Sequence, residues 1–295
     1  MTGHIGLIGA GAMGGAIGAR LAMTGTELHV FDLDPQKVAA LVEKGAQASA
    51  SAVELAAGAR AVILSLNAPH IVRAAVFGPD GVAEGAAPGL LIIDMSSIDP
   101  AATRELAAQA AERGLRWVDS PLSGGAPKAE IGQLTLMQGG AEADVLEAQS
   151  VLAKVASNQT HMGDVGTGQT TKIINQVLCG LGFMAVAEAT ALAEAAGVNV
   201  ARIPAALKGG RADSALLQEY MPRFAARDYR RTGRIDNMVK DLDGARELAR
   251  QTQTTMPLTV LAGEIHRLLT AAGLGGEDQA ALMEYFSGPS KEKFQ

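Results

Sequence analysis

GLIGAGAMGG, residues 6–15, sets Gly9, Gly11 and Gly14 in a G-x-G-x-x-G spacing. The spacing alone is a weak signal, and its surroundings strengthen it. An apolar strand pattern, HIGLIG (4–9), runs into it, a helical stretch (12–23) leaves it, and the next strand pattern, ELHVFD (27–32), ends in an acid. Each glycine has a physical task. Gly9 permits the tight turn, Gly11 lets backbone approach a pyrophosphate, and Gly14 lets helix and strand pack closely. Ala10, Ala12 and Met13 complete a turn whose free N–H groups and helix dipole favour a bound anion. Asp32 at the end of the second strand can accept hydrogen bonds from both hydroxyls of an adenosine ribose. It would repel a 2′-phosphate, since two like charges ~4 Å apart cost up to about 4 kcal/mol at an effective dielectric of 20. Leu33 and Asp34 follow rather than an arginine, so NAD is the expected cofactor and NADP the second choice. Asp34 reads as the N-cap of the DPQKV helix, with Pro35 at its first position.

Composition sets the frame for this motif. The chain has 295 residues, 48% hydrophobic and 19% charged, which suits about two well-buried domains. A net charge of −6 argues against wholesale binding to nucleic acid or an anionic membrane. Cys179 is the single cysteine, and a reducing, cytoplasmic setting is expected. The five histidines lack ligand spacing, so no metal site is expected. Met1 to His4 run straight into the first strand pattern, which argues against a signal peptide. The apolar run Val177–Ala187 is shorter than the roughly 20 residues a membrane span needs.

The two halves differ in grammar. Up to about residue 165, strand patterns at 4–9, 27–32, 61–66, 90–95, 116–120 and 133–139 alternate with helical stretches such as DPQKVAALVEKG and PAATRELAAQAAERG. Continuous apolar strands between helices imply an α/β doubly wound, mostly parallel sheet covered on both faces. From Gly168 onward the pattern is helical. Thr170–Ala196 reads as one long interdomain helix, and an all-α domain fills the rest, giving expected domains of 1–165 and 166–295.

Two further stretches carry chemistry. In DSPLSGGAPKAEIGQLTLMQGG (119–140), Ser123, Gly124 and Gly125 offer successive backbone N–H groups suited to a carboxylate, although an ordinary loop reads the same way. In GQTTKIINQ (168–176), Lys172, Asn175 and Gln176 fall at i, i+3 and i+4, one face of a helix. An amine and two carboxamides on one face need polar partners or solvent. Beside a dinucleotide site, a desolvated lysine can exchange the hydroxyl proton while hydride passes to nicotinamide.

With GLIGAGAMG, the 119–140 stretch, GTGQTTKIINQ and Lys240-Asp241-Leu242, the chain resembles the β-hydroxyacid dehydrogenases, of the 3-hydroxyisobutyrate dehydrogenase and tartronate semialdehyde reductase type. The four motifs stand in order over almost the whole length. The resemblance implies a Rossmann domain followed by an all-helical domain, in dimers or tetramers, with the catalytic cleft between domains. It implies Lys172 as catalytic acid/base and Asn175, with Gln176, as its substrate-orienting neighbours. Ser123, Gly124 and Gly125 would form the carboxylate loop, Leu66, Asn67 and Ser96 would line the cofactor, and Lys240 would reach the nicotinamide side. Three departures bear on the substrate: Gln176 where many members have a second asparagine, Gly233 where a phenylalanine is frequent, and Arg211 where many have an apolar or aromatic residue.

The expected activity interconverts a short, carboxylate-bearing 3-hydroxy acid with its semialdehyde. Imine reduction and a non-catalytic dinucleotide-binding module are the alternatives. Arg223, Arg227, Arg230, Arg231 and Arg234 read as an ion-paired surface, Cys179 as a small buried hydrophobe, and Trp117 as core.

Overall fold

The computed structural model describes residues 3–287. Its first-half strands are β1 (His4–Ile8), β2 (Leu28–Phe31), β3 (Gln47–Ala48), β4 (Ala59–Leu64), β5 (Leu91–Asp94), β6 (Arg116–Asp119), β7 (Leu122–Ser123), β8 (Leu134–Gly139) and β9 (Ala156–Gly163). The helices among them are α1 (Ala12–Met23), α2 (Pro35–Val42), α3 (Ala52–Ala56), α4 (Pro69–Phe77), α5 (Val82–Gly85), α6 (Pro100–Ala111), α7 (Gly125–Glu130) and α8 (Glu142–Leu152). Then come α9 (Thr167–Ala195), α10 (Ile203–Leu207), α11 (Ala215–Ala226), α12 (Ile235–Thr252), α13 (Pro257–Leu269) and α14 (Met283–Phe286).

The sheet runs β3-β2-β1-β4-β5-β6-β8-β7, with β9 beside β8. Pairing is parallel from β3 through to β6. The strand order 3-2-1-4-5-6 reverses direction between β1 and β4, the switch point where doubly wound sheets leave a crevice. Alternate residues serve opposite faces. Leu7, Ile63 and Ile93 join Ile17 and Leu21 of α1 in one core, while Ile8, Leu64 and Ile92 join Leu55, Val72 and Trp117 in the other. Burial on both faces explains the unbroken apolar runs.

Three strands lie outside the expected set. β3 and β7 have two residues each, too few for a period. β9, ASNQTHMG, is a polar, largely exposed strand that pairs in parallel with β8. It forms because β8 offers an open ladder, and its side chains carry no apolar alternation.

The chain divides into two compact units, Met1–Lys172 and Ile173–Gln295, which part inside α9. This helix has 29 residues, about 43 Å at 1.5 Å per residue, and starts three residues earlier than its apolar period suggests. It is long and apolar enough to cross a membrane by length and composition, a point that the shorter run Val177–Ala187 hides. In the second unit, however, its buried face (Phe183, Val186, Ala187, Ala193) packs with Tyr220, Phe224, Leu242 and Ile265 into one core.

That core also holds a buried carboxylate. Asp278 accepts from the backbone N–H of Thr232 (2.6 Å) and Gly233 (3.1 Å), and pairs with Arg223 at 3.1 Å. The arginine-rich segment is ion-paired in other places too. Arg227 meets Glu194 at 2.9 Å and Arg230 meets Asp228 at 2.6 Å. Cys179 is half-buried against the same core, and Trp117 is buried in the first unit.

Candidate functional site

The turn after β1 is shaped by what cannot fit in it. Gly9 adopts φ +93°, and a Cβ there would stand 2.4 Å from the Ser65 carbonyl oxygen. A Cβ on Gly14 would stand 1.8 Å from the Gly9 carbonyl oxygen, so helix and turn touch backbone to backbone. Gly11, by contrast, faces open space. No side chain caps the start of α1, and its first turn carries no acid. The exposed N–H groups of that turn fit a pyrophosphate. Ala12 is exposed there and Met13 half-buried against the core.

Asp32 closes the other side. Its Oδ2 accepts from the Ala10 N–H at 2.6 Å and its Oδ1 from the Asp34 N–H at 2.8 Å, while Lys37 Nζ lies 3.8 Å away. Asp34 caps α2 through the Gln36 N–H at 3.0 Å, as its position suggests. A cavity of about 460 Å³ opens between Gly9, Asp32, Leu33, Leu66 and Ile71. Its mostly apolar wall, which carries the carboxylates of Asp32 and Asp80, suits an adenosine, so the residues present fit a dinucleotide.

The ends of β4 and β5 meet here. Ser96, buried after β5, accepts the Leu66 N–H at 3.0 Å through its hydroxyl. Asn67 beside them is exposed. Below, Asp94 Oδ1 accepts from the Ser96 N–H at 3.0 Å, and its Oδ2 has no hydrogen-bond partner among the described residues. Burial pushes this carboxyl up to about 7 against the opposing Ser96 hydrogen bonds, with the Asp119 charge adding to the rise. Asp119 at the end of β6 rises to about 6 through burial, although backbone N–H groups from Gly166 and Gln169 hold it down.

Ser123 ends β7 half-buried. Gly124 (φ +122°) and Gly125 (φ +70°) then turn the chain into α7, so the stretch that could also read as an ordinary loop is a strand–turn–helix. Both backbones sit where an L side chain is strained.

Lys172 is half-buried in the second turn of α9. In the second unit, Asn175 Nδ2 donates to Gln176 Oε1 at 2.8 Å, and Gln176 Nε2 donates to Asp241. Gln176 thus links Asn175 to Asp241, an acid named in the Lys240-Asp241-Leu242 motif but given no role by the sequence. Lys240 is largely exposed on α12, 3.8 Å from the Asp241 carboxylate. Arg211 stands in an exposed turn between α10 and α11. Gly233 leaves room, as a Cβ there would make only ordinary contact with Gln279 at 3.9 Å.

Comparison with known proteins adds the family. Residues 4–163 match the NAD-binding domain of 6-phosphogluconate dehydrogenase, and residues 166–286 match the NAD-binding region of NADP-dependent 3-hydroxyisobutyrate dehydrogenase. The chain is 35% identical to 2-(hydroxymethyl)glutarate dehydrogenase of Eubacterium barkeri over 281 residues, covering 95% of this chain and 93% of that one. A solved 3-hydroxyisobutyrate dehydrogenase from Salmonella typhimurium superposes with TM-score 0.84 at 34% identity, covering 97% and 100% of the two chains. The Mycobacterium tuberculosis 3-hydroxyisobutyrate dehydrogenase solved with L-serine gives TM-score 0.87 at 29% identity, covering 97% and 99%.

Proposed function

The chain belongs to the β-hydroxyacid dehydrogenases, and on that premise we propose that it oxidises a short 3-hydroxy acid to its semialdehyde, or reduces it back, with Lys172 as acid/base. The observation that carries this reading is the polar face of α9. Lys172, Asn175 and Gln176 share it, and Asp241 holds Gln176 so that its oxygen receives the Asn175 amide. Such a held carboxamide presents Asn175 in one orientation to a substrate hydroxyl.

A nicotinamide dinucleotide held by the Gly9–Gly14 turn and Asp32 would supply the hydride acceptor. The Lys172 amine takes the hydroxyl proton as the substrate's C–O bond becomes a carbonyl, and returns it in reduction. Backbone N–H groups around Ser123, Gly124 and Gly125 hold the substrate carboxylate. Lys240 and Arg211 add positive charge that favours an anionic substrate.

Asp32 favours NAD over NADP, since its carboxylate would repel a 2′-phosphate. Lys37, 3.8 Å away, offsets part of that charge and supports NADP as a second cofactor. Ile174 (53% exposed), Leu178 (67%) and Leu261 (58%) put large apolar side chains on the second unit's surface, and they support a homodimer or homotetramer. The lone Cys179 fits the reducing cytoplasm.

A steady-state screen tests the function. C3–C5 hydroxy acids are offered with NAD and with NADP, and absorbance at the reduced-nicotinamide band is followed. Turnover of 3-hydroxy acids with NAD is the expected result. Oxidation of NADPH by cyclic imines, with no hydroxy-acid turnover, would replace it with imine reduction.

A further inference from the structure

Gln169 is 1% exposed in the first turn of α9, and both its backbone and its side chain are spent on the sheet. Its N–H donates to Asp119 Oδ2 at 2.8 Å, and its Nε2 donates to the Ser96 carbonyl at 2.7 Å. The other Asp119 oxygen accepts the Gly166 N–H at 2.7 Å. Ser96 in turn holds Leu66 through its hydroxyl and Asp94 through its N–H. One carboxamide therefore ties the start of the helix to the turn that carries the expected cofactor contact.

The fit around this tie is close. A Cβ on Gly168 would lie 2.5 Å from the Met137 carbonyl oxygen and 2.7 Å from Asp119 Oδ2. A Cβ on Gly139 would lie 2.6 Å from Asp119 Oδ1. Glycine at both places lets helix backbone, carboxylate and strand meet without a side chain between them. A carboxamide so deeply buried is costly unless its polar atoms are used, and here Nε2 is bound to the main-chain carbonyl of the buried Ser96.

Lys172 stands three residues after Gln169, one helical turn along the same side. We infer that Gln169 is a positioning residue of the proposed dehydrogenase reaction, holding the turn that bears Lys172 in register with the Ser96 turn. The inference rests on the reading of Lys172 as acid/base. A displacement of about 1 Å at a reacting group can cost on the order of 10²-fold in rate, which is the scale on which a lost tie would show.

A double-mutant cycle on the full-length enzyme tests it. Gln169→Met keeps length and burial but removes the donor. It is expected to lower kcat about 10–100-fold, with NAD affinity and substrate KM each changed less than about threefold. In a Lys172→Ala background the same substitution should cost less than about threefold, because nothing remains to position. Equal losses in both backgrounds would overturn the inference while leaving the role of Lys172 standing. Full turnover in Lys172→Ala alone would remove that role and the inference with it.

Gln169→Glu gives a second reading should the methionine variant fail to fold. The carboxyl that this substitution introduces can donate to the Ser96 carbonyl when protonated and cannot when ionised. Asp94 and Asp119 titrate nearby in both proteins, so the quantity read is the ratio of variant to wild-type kcat. That ratio is expected to fall as pH rises, and a flat ratio would count against positioning.

Discussion

The backbone N–H of Ala10 donates to Asp32 Oδ2 across 2.6 Å, joining the glycine turn after β1 to the acid that follows β2. Asp32 therefore shapes the turn after β1, and on the proposed reading its negative charge would also oppose a 2′-phosphate. Replacing it by serine keeps an oxygen and removes the charge. The relief is at most ~4 kcal/mol, discounted here for exposure and for Lys37. Asp32→Ser is expected to shift the NADP-to-NAD ratio of kcat/KM by about 10–100-fold toward NADP. An unchanged ratio in steady-state kinetics with both cofactors would separate Asp32 from cofactor choice.

Gly14 tolerates no side chain. With a Cβ 1.8 Å from the Gly9 carbonyl oxygen, helix α1 must move off the turn that it helps to build. Gly14→Ala is expected to cost about 1–3 kcal/mol of stability, the range for overpacking. It should also weaken NAD binding at least about tenfold. Thermal melting and a fluorescence titration with NAD read the two effects separately, and wild-type affinity would show that the close approach is not needed.

Much of this is legible in the sequence. The glycine spacing, the acid at the end of β2 and the apolar strands identify the first unit because each answers a local steric or electrostatic demand. The N-cap at Asp34 is legible for the same reason. Asp119, Gln169 and Asp241 are not, since their partners lie 50, 73 and 65 residues away in sequence. Nor is β9, whose polar side chains hide a strand set by the neighbouring ladder. Ser123-Gly124-Gly125 announces a turn but not the helix that follows it, because six residues are too short to show a period.

The buried Asp94 carboxyl makes stability depend on pH. Folding raises it to about 7 from an ordinary aspartate value, so the folded chain holds a proton there that the unfolded chain has lost. Its contribution is full below about pH 4 and is lost as pH rises through 7. At roughly 1.4 kcal/mol per unit, this amounts to a few kcal/mol across the window. Asp94→Asn removes the proton exchange, so the variant is expected to gain on the wild type between about pH 4 and 8. Parallel stability–pH curves in urea unfolding would contradict the assignment.

Asp278 holds the second unit together at one point. It is fully buried, accepts three backbone N–H groups (Thr232, Gly233 and Ala280) and faces Arg223 at 3.1 Å. Asp278→Ala takes the acceptor from those backbone donors and the nearest carboxylate from Arg223, which keeps Asp228 at 3.5 Å and Thr232 Oγ1 at 2.7 Å. The expected loss is about 3–5 kcal/mol, the scale for breaking a buried pair. A calorimetric loss well under 1 kcal/mol would show that the segment around Thr232 settles on other partners.

Lys172 carries the account, and its removal is the most direct test. The measurement is kcat of Lys172→Ala with the best hydroxy acid, alongside the NAD dissociation constant of the same preparation. Turnover is expected to fall about 10²–10⁴-fold, with NAD affinity unchanged within about threefold. Wild-type turnover in that variant would contradict the account.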